Sequence, residues 1–320
     1  MGKLAYIFPG QGSQYVGMGK DIASRYTTAQ NVYSEADDVL HERLSELCFN
    51  GPEEELRLTS NTQPALLATS VALWKVFMES GAPEPNYVAG HSLGEYSALV
   101  AAGAIRFDDA VRTVRQRGKL MEEAVPAGTG AMAAVLGLER EKLLAVCEEV
   151  SATNGPVELA NLNCPGQIVI SGTTAAVEIA TERAKAAGAR RVQKLAVSGP
   201  FHSSLMRSAG EQLAQVLREI DIVKARVPVI ANVTARPVQD SSEIVETLTR
   251  QVASSVLWED SVRLMMENGV DTFVEIGPGR VLSGLIRKIN RKVSLYNVED
   301  PDSMDKTLTA LKYVTWSATK

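Results

Sequence analysis

Cysteine and histidine are both scarce in this sequence. The three cysteines, Cys48, Cys147 and Cys164, stand far apart in a chain of 320 residues. An odd number at such spacing fits neither a disulfide framework nor a zinc site. We therefore expect reduced, structural thiols in a cytoplasmic protein, with no bound metal.

Long apolar runs and an excess of positive charge are also missing. No stretch approaches the length of a membrane span, and the first residues meet Pro9 and Gly10 too early for a signal peptide. The net charge of −5 gives no reason to expect a nucleic-acid partner. With 45% hydrophobic and 22% charged residues, the composition is that of a globular enzyme, which we expect to be a monomer away from membranes.

Strand and helix signals alternate along most of the chain. Strands are predicted at 4–8, 87–89, 227–233, 272–276 and 293–298, and helices at 28–47, 64–80, 95–102, 108–124, 242–252, 280–290 and 302–311. This alternation favours an α/β fold with a mostly parallel sheet. The last residues, 315–320, are predicted to fray.

The segment 130–197 departs from this alternation. It predicts strands at 130–137, 157–163, 167–171 and 190–197, with helices at 139–150 and 174–187. The resulting β-α-β-β-α-β order is the ferredoxin-like pattern. We expect a small domain at 129–197, inserted into a large catalytic domain made of 1–128 and 198–320.

A Gly-x-Ser-x-Gly motif, GHSLG at 90–94, places Ser92 between a predicted strand and a predicted helix. Glycines on both sides leave room for the sharp turn that exposes a nucleophile, and the helix N-terminus favours developing negative charge. We predict that Ser92 is the nucleophile of an acyl transfer. The alternative is a glycine-rich turn with an inert serine.

A serine nucleophile needs a base, and the chain offers only His41, His91 and His202. His41 lies in an amphipathic segment, and His91 adjoins Ser92 in a turn where neighbouring side chains point apart. His202 follows a predicted strand, in the kind of loop where α/β folds collect catalytic groups. We predict that His202 is the base. The alternative is a structural loop histidine.

Two main-chain N–H groups are candidates for stabilising an oxyanion. Leu93 follows the nucleophile, and Gln11 lies in the loop after the first predicted strand. That loop, PGQGSQ at 9–14, lacks both the third glycine of a dinucleotide fingerprint and the Gly-Lys-Ser/Thr of a phosphate loop.

Arg117 is the most specific indication of the substrate. In the predicted helix 108–124 it shares an apolar face with Val114 and Met121, whereas Arg115 is predicted to face solvent. An inward guanidinium needs an anionic partner. That partner is either a protein carboxylate or a carboxylate on the acyl group, held by two hydrogen bonds. No acidic residue stands out as the group that orients the histidine base, so a carbonyl is the other choice.

Seven segments, in order along nearly the whole chain, resemble the malonyl-CoA:acyl-carrier-protein transacylase family. They are FPGQGSQ (8–14), NTQPA (61–65), GHSLGEY (90–96), RGK (117–119), NLNCPGQ (161–167), GPFHS (199–203) and EIGPG (275–279). The resemblance implies an α/β-hydrolase-like large domain with an inserted ferredoxin-like domain. This agrees with the prediction for 129–197.

The resemblance also implies a role for each site residue. It makes Ser92 the acylated residue and His202 its base, with Gln11 and Leu93 as main-chain oxyanion donors. The remaining assignments are Arg117 to the malonyl carboxylate, Gln63 and His91 to the substrate pocket, Phe201 to selectivity against an α-methyl group, Asn161 and Asn163 to the pantetheine path, and the main-chain carbonyl of Gln251 to the orientation of the histidine.

The implied reaction is a ping-pong transfer of malonyl from malonyl-CoA to the phosphopantetheine thiol of acyl carrier protein, for fatty-acid elongation. No cofactor is expected to stay bound, because CoA arrives with the substrate and phosphopantetheine with the partner. The carrier protein is acidic, so docking on this acidic chain needs a local basic patch. Two groups qualify: a first basic cluster of Lys185, Arg190, Arg191 and Lys194, and a second basic cluster of Arg280, Arg287, Lys288, Arg291 and Lys292. Either one could equally be an ordinary solvated surface.

Three other functions stay open on the sequence. A serine esterase or lipase would use the same serine and histidine, but does not account for the inward arginine. A non-catalytic carrier-protein-binding module would form no acyl adduct. A transferase of a polyketide system would share the chemistry and differ only in the pathway.

Overall fold

The computed structural model describes residues 2–197 and 199–312, so the predicted frayed segment 315–320 lies outside the described residues. Ten strands lie within them. The strands are β1 (Lys3–Phe8), β2 (Tyr87–Gly90), β3 (Gly130–Leu136), β4 (Val157–Cys164), β5 (Gln167–Thr173), β6 (Arg191–Lys194), β7 (Val229–Ala231), β8 (Arg236–Val238), β9 (Val270–Ile276) and β10 (Ser294–Val298).

Fourteen α-helices lie in the same part of the chain. They are α1 (Lys20–Arg25), α2 (Thr27–Leu40), α3 (Leu44–Asn50), α4 (Glu53–Leu56), α5 (Thr59–Glu79), α6 (Gly94–Ala101), α7 (Phe107–Glu123), α8 (Arg140–Asn154), α9 (Thr174–Ala186), α10 (Arg207–Arg218), α11 (Ser241–Gln251), α12 (Trp258–Glu267), α13 (Val281–Ile289) and α14 (Pro301–Leu311). None of them combines the length and the apolar character that crossing a bilayer requires.

The larger sheet has six strands in the order β10-β9-β1-β2-β7-β8. All neighbouring pairs are parallel except β7 with β8, which are antiparallel. The central strand β1 reads as an almost unbroken apolar run whose last five residues are all buried, as expected for a strand covered by helices on both faces. The predicted α/β fold with a mostly parallel sheet is confirmed.

The smaller sheet has four antiparallel strands in the order β4-β5-β3-β6. Along the chain its elements run β3-α8-β4-β5-α9-β6, which is the order predicted for 130–197. A separate apolar cluster lies between this sheet and its two helices. An isolated bridge joins Asn161 of β4 to Val256, which lies in the segment between α11 and α12.

Several boundaries differ from the predictions for local reasons. The single helix predicted at 28–47 is two helices, because His41 has a positive φ of 54° and ends α2. The short strand β8 and the helices α1, α4, α10 and α12 were not predicted.

The prediction that Arg115 faces solvent is wrong. Its side chain forms hydrogen bonds with Asn61 and the Ser60 carbonyl in the first turn of α5, and an ion pair with Glu42 between α2 and α3. The helical periodicity placed Arg115 outside the apolar face. The first turn of α5 covers that side of α7 as well.

Candidate active site

The turn between β2 and α6 holds Ser92 in a left-handed conformation, with φ of 51°. The close approach of the chain explains both glycines of the motif. A Cβ on Gly94 would lie 2.1 Å from the Phe8 carbonyl oxygen, and one on Gly90 would lie 1.9 Å from the Gly94 carbonyl carbon. The left-handed conformation of Ser92 is strained for a residue with a side chain. Strain of this kind, held in place by the surrounding structure, is typical of a functional residue.

The structure brings Ser92 and His202 into contact. The Ser92 Oγ lies 2.8 Å from His202 Nε2, and His202 Nδ1 lies 2.9 Å from the main-chain oxygen of Gln251. A carbonyl oxygen can only accept, so Nδ1 holds the proton and Nε2 faces the hydroxyl as an acceptor. Burial, and then the nearby Arg117 charge, lower the pKa of His202 to about 3. The imidazole is therefore neutral and able to take a proton at physiological pH.

Arg117 is 1% exposed and reaches the nucleophile. Its Nη2 donates to Ser92 Oγ at 3.1 Å and to Gln251 Oε1 at 2.9 Å, and its Nη1 donates to Gln63 Oε1 at 2.7 Å. The guanidinium also lies over the Tyr96 ring, 5.5 Å from its centroid. Burial lowers the pKa of Arg117, yet a guanidinium stays charged in proteins. The three acceptors of its hydrogen bonds, a hydroxyl and two amide oxygens, are all neutral.

The predicted oxyanion donors have free main-chain N–H groups. Among the described residues, neither the Gln11 nor the Leu93 N–H donates a hydrogen bond. Gln11 anchors its side chain instead, since its Nε2 donates to Thr59 Oγ1 at 3.2 Å. Two unused amides beside a serine nucleophile are the arrangement that stabilises a tetrahedral oxyanion.

A cavity of about 110 Å³ opens onto the nucleophile between the two sheets. Its walls are formed by Gln11, His91, Ser92, Met121, Met132, Asn161, Leu195, Val197, Phe201 and His202. The sequence had singled out six of these ten, and missed the two methionines, Leu195 and Val197. These four residues lie in α7, in β3 and after β6, which are separate in sequence and meet only in the folded protein.

Gln63, assigned to the pocket, and Asn163, assigned to the pantetheine path, lie one contact behind the cavity, as does Arg117. Gln63 is buried against Arg117 and is not among the residues lining the cavity. Asn163 Oδ1 accepts a hydrogen bond from His91 Nε2 at 2.8 Å, and the His91 ring packs against Trp258. Burial lowers the pKa of His91 as well. Asn163 therefore fixes the His91 ring, which in turn borders the cavity.

Sequence reasoning missed Asn232 and Glu95. Asn232 Oδ1 accepts from the Ser92 N–H at 2.7 Å, and its Nδ2 donates to the Gly90 carbonyl at 2.7 Å. A signal for Asn232 was present, because it follows the buried residues of β7 at a carboxyl end of the parallel sheet. Glu95 stood inside a quoted motif, but nothing in its position revealed that it is 1% exposed.

The geometry supplies the parts of covalent acyl transfer. It provides a hydroxyl in contact with a neutral histidine, two free amides for an oxyanion, and a buried cation at the same hydroxyl. Among the described residues, no group of histidine, cysteine and acidic side chains could hold a metal ion.

Comparisons with known proteins agree with this chemistry. Residues 5–301 match the family model described as acyl transferase domain. A protein of Bacillus subtilis named malonyl CoA-acyl carrier protein transacylase is 53% identical over 312 residues, which are 98% of each chain. A protein of the same name from Staphylococcus aureus is 45% identical over 299 residues, covering 93% of this chain and 96% of the relative.

Solved structures are similar over the same length. An acyl carrier protein S-malonyltransferase from Vibrio cholerae is 45% identical with a TM-score of 0.93, covering 95% of this chain and 99% of that one. A malonyl-transacylase solved in complex with a type II PKS acyl-carrier protein is 47% identical with a TM-score of 0.94, covering 98% and 100%. The chain therefore belongs to the malonyl-CoA:acyl-carrier-protein transacylase family of acyl transferases.

Proposed function

We propose that this protein transfers a malonyl group from malonyl-CoA to the phosphopantetheine thiol of acyl carrier protein, through a malonyl-Ser92 intermediate. The observation that supports this best is the Arg117 guanidinium, 3.1 Å from the nucleophilic Ser92 Oγ and bonded otherwise to neutral amides. A buried cation beside a nucleophile selects an acyl group that brings its own carboxylate.

In the first half-reaction, Ser92 Oγ attacks the thioester carbonyl as its proton passes to His202 Nε2. The Gln11 and Leu93 N–H groups stabilise the oxyanion. The carbon–sulfur bond then breaks, and the leaving CoA sulfur takes the proton from Nε2. The carbonyl of Gln251 holds the imidazole throughout, because it accepts from Nδ1 at 2.9 Å.

In the second half-reaction, the carrier-protein thiol gives its proton to His202 Nε2 and its sulfur attacks the malonyl-Ser92 ester. The ester carbon–oxygen bond breaks and Ser92 Oγ regains the proton, so the enzyme returns to its starting state. Pairing the malonyl carboxylate with Arg117 leaves little room for a competing water. No permanently bound cofactor is needed for either step.

We propose further that the carrier protein docks on one of the two basic clusters, and that 129–197 is a ferredoxin-like domain inserted into an α/β-hydrolase-like domain of 1–128 and 198–320. The antiparallel β-α-β-β-α-β unit supports the domain division.

Phe201 and Asn161 border the cavity, which supports their roles in acyl selectivity and along the pantetheine path. Service to fatty-acid or to polyketide synthesis uses the same chemistry. Monomeric state and cytoplasmic location stay predictions.

Intact mass measurement after incubation with malonyl-CoA tests this function. The expected result is the addition of one malonyl group, lost when acyl carrier protein with its phosphopantetheine is added. Ser92→Ala should form no adduct. Ser97→Ala is the matched control, because Ser97 is buried one turn further along α6 and its hydroxyl has no partner among the described residues.

The rival functions predict different outcomes of the same measurement. A serine esterase would release free malonate without carrier protein, and a non-catalytic binding module would show no adduct at all. Either result would overturn the proposed transfer.

A further inference from the structure

Glu95 is a buried carboxylate that none of the proposed steps uses. It is 1% exposed, in the first turn of α6, three residues after the nucleophile. One of its oxygens, Oε2, accepts two hydrogen bonds, from the Asn232 main-chain N–H at 3.0 Å and from Gln251 Nε2 at 2.7 Å. A buried carboxylate is costly unless its surroundings use it.

The first of these partners, Asn232, holds the turn that presents the nucleophile. Its Oδ1 accepts from the Ser92 N–H and its Nδ2 donates to the Gly90 carbonyl, each at 2.7 Å. These two bonds fix the main chain that leads into the strained residue, from the Gly90 carbonyl to the Ser92 N–H. Glu95 fixes the main chain of Asn232 and so the position of this clamp.

The second partner, Gln251, forms hydrogen bonds with Ser92, His202 and Arg117. Its main-chain oxygen accepts from His202 Nδ1 at 2.9 Å, its Oε1 accepts from Arg117 Nη2 at 2.9 Å, and its Nε2 also donates to the Ser92 carbonyl at 3.0 Å. A movement of Gln251 would therefore disturb the positions of the nucleophile, the base and the cation together.

Glu95 contributes, together with the Ser92 carbonyl and the Arg117 guanidinium, to the orientation of the Gln251 amide. A carboxylate only accepts hydrogen bonds, so Gln251 must present Nε2 to it, which leaves Oε1 for the Arg117 guanidinium. The reversed amide would place an oxygen against the carboxylate and an NH₂ group against the guanidinium. Both of those contacts are repulsive.

We propose that Glu95 is a positioning residue of the transfer reaction, whose carboxylate sets Gln251 and Asn232 and through them Ser92, His202 and Arg117. The inference rests on the proposed function, because its readout is the acylation of Ser92. It adds a residue that touches neither the substrate nor the reacting atoms.

This role makes acylation depend on the ionisation of Glu95. Burial raises the pKa of the Glu95 carboxyl to about 7, against the hydrogen bonds from Asn232 and Gln251 and the charge of Arg117. The charged or titratable groups facing it are Arg117 from α7 and Tyr96 of its own helix, while the two amides come from Asn232, directly after β7, and Gln251 of α11. When the Glu95 carboxyl is protonated it carries an O–H donor, so it no longer requires two hydrogen-bond donors opposite it. His202, with a pKa of about 3, does not titrate in this range.

The test is the pH dependence of Ser92 acylation by malonyl-pantetheine, followed by rapid quench and intact mass. This substrate lacks the phosphates of CoA, which titrate near pH 6, and the half-reaction needs no thiol base. For the wild-type protein we expect the acylation rate constant to fall as the pH drops through about 7. For Glu95→Gln we expect a rate constant about tenfold lower at pH 8 and no fall below pH 7.

Glu275→Gln is the matched control. Glu275 is also a buried carboxylate, accepting main-chain N–H bonds from Leu282 and Ser283 at the start of α13. This variant should keep the wild-type pH profile. A wild-type rate constant that stays level between pH 6 and 8 would overturn the proposal without any variant having to fold. So would a Glu95→Gln profile that still falls below pH 7. Absence of acylation at every pH would instead contradict the proposed function.

Discussion

At the scale of single residues, the proposed selectivity for malonyl rests on the placement of Arg117. The cation is enclosed by the amide oxygens of Gln63 and Gln251 and by the Ser92 hydroxyl. Its Nη atoms donate only to neutral acceptors, and its Nε has no partner among the described residues, so a carboxylate that reaches the guanidinium gains a charge-assisted pair. A protein carboxylate in the same place would have closed the site to malonyl.

Replacing Arg117 by alanine should therefore change acyl selectivity as well as rate. We expect kcat/KM for malonyl-CoA to fall about a hundredfold, which corresponds to roughly 3 kcal/mol for lost bonds to a charged group. Acetyl-CoA, which has no carboxylate to pair, should lose much less. Competition between the two thioesters, read as the masses of acyl-Ser92, measures the ratio.

Arg115→Ala is the matched control for that change. Arg115 is a buried arginine on the same helix, but its partners are Glu42, Asn61 and the Ser60 carbonyl. The variant should be less stable and keep the malonyl-to-acetyl ratio. An unchanged ratio in Arg117→Ala would remove Arg117 from substrate recognition.

Phe201 offers a second prediction at this scale. Its ring borders the small cavity beside the base and is 5% exposed, so it fills space that an α-methyl group needs. Phe201→Ser should raise kcat/KM for methylmalonyl-CoA relative to malonyl-CoA, measured with both thioesters in one mixture. If the ratio stayed the same, Phe201 would have no part in selectivity.

At the scale of elements, the close packing of β1, β2 and α6 builds the nucleophile turn. The loop after β1 touches the turn directly, since a Cβ on Gly10 would lie 2.2 Å from the His91 carbonyl oxygen. Gly94 meets the end of β1 at the same interface. The oxyanion donors and the nucleophile therefore share one rigid contact between neighbouring parallel strands.

A methyl group at Gly94 tests this packing. Gly94→Ala should destabilise the fold by several kcal/mol and slow Ser92 acylation, because the new Cβ would lie 2.1 Å from the Phe8 oxygen and the main chain would have to move. Gly284→Ala is the control, since a Cβ there meets nothing within 4 Å on the exposed side of α13. It should stabilise the protein by about 0.5–1 kcal/mol in denaturant unfolding. Equal stability of the two variants would contradict the packing argument.

Elements with strong periodicity or strong turn signals were predictable, and the long-range polar network was not. The predicted strand at 130–137 and helix at 108–124 differ from β3 and α7 by a single residue at each boundary or less. The break at His41 was missed because it depends on one positive φ. The contacts of Asn232 and Glu95 join residues 137 positions apart, and no local spacing encodes such a pair.

At the scale of the whole molecule, the distribution of unpaired positive charge distinguishes the two basic clusters. In the first cluster, Lys185 is paired with Glu182 and Lys194 lies near Glu178. In the second, Arg280 alone forms an ion pair within the described residues, with Glu299. The second cluster therefore has more uncompensated charge to offer an acidic carrier protein, although the chain as a whole has a net charge of −5.

Charge reversal in pairs should separate the clusters. We expect Arg287→Glu with Arg291→Glu to raise the KM for acyl carrier protein roughly tenfold, as each reversed charge costs on the order of 0.7 kcal/mol at an exposed contact. Arg190→Glu with Arg191→Glu changes the net charge by the same amount and should raise it less than threefold. Steady-state transfer at saturating malonyl-CoA gives both values, and the difference should shrink at high salt.

Acylation by malonyl-pantetheine should be unchanged in both double variants, because that half-reaction does not involve the carrier protein. A larger effect of the Arg190 and Arg191 pair would assign docking to the first cluster. Equal effects would mean that the overall charge of the molecule governs the encounter. If the carrier protein docks on one local surface, only one of the two double substitutions should raise its KM. Screening limits the range of an exposed charge to about 8 Å at physiological ionic strength.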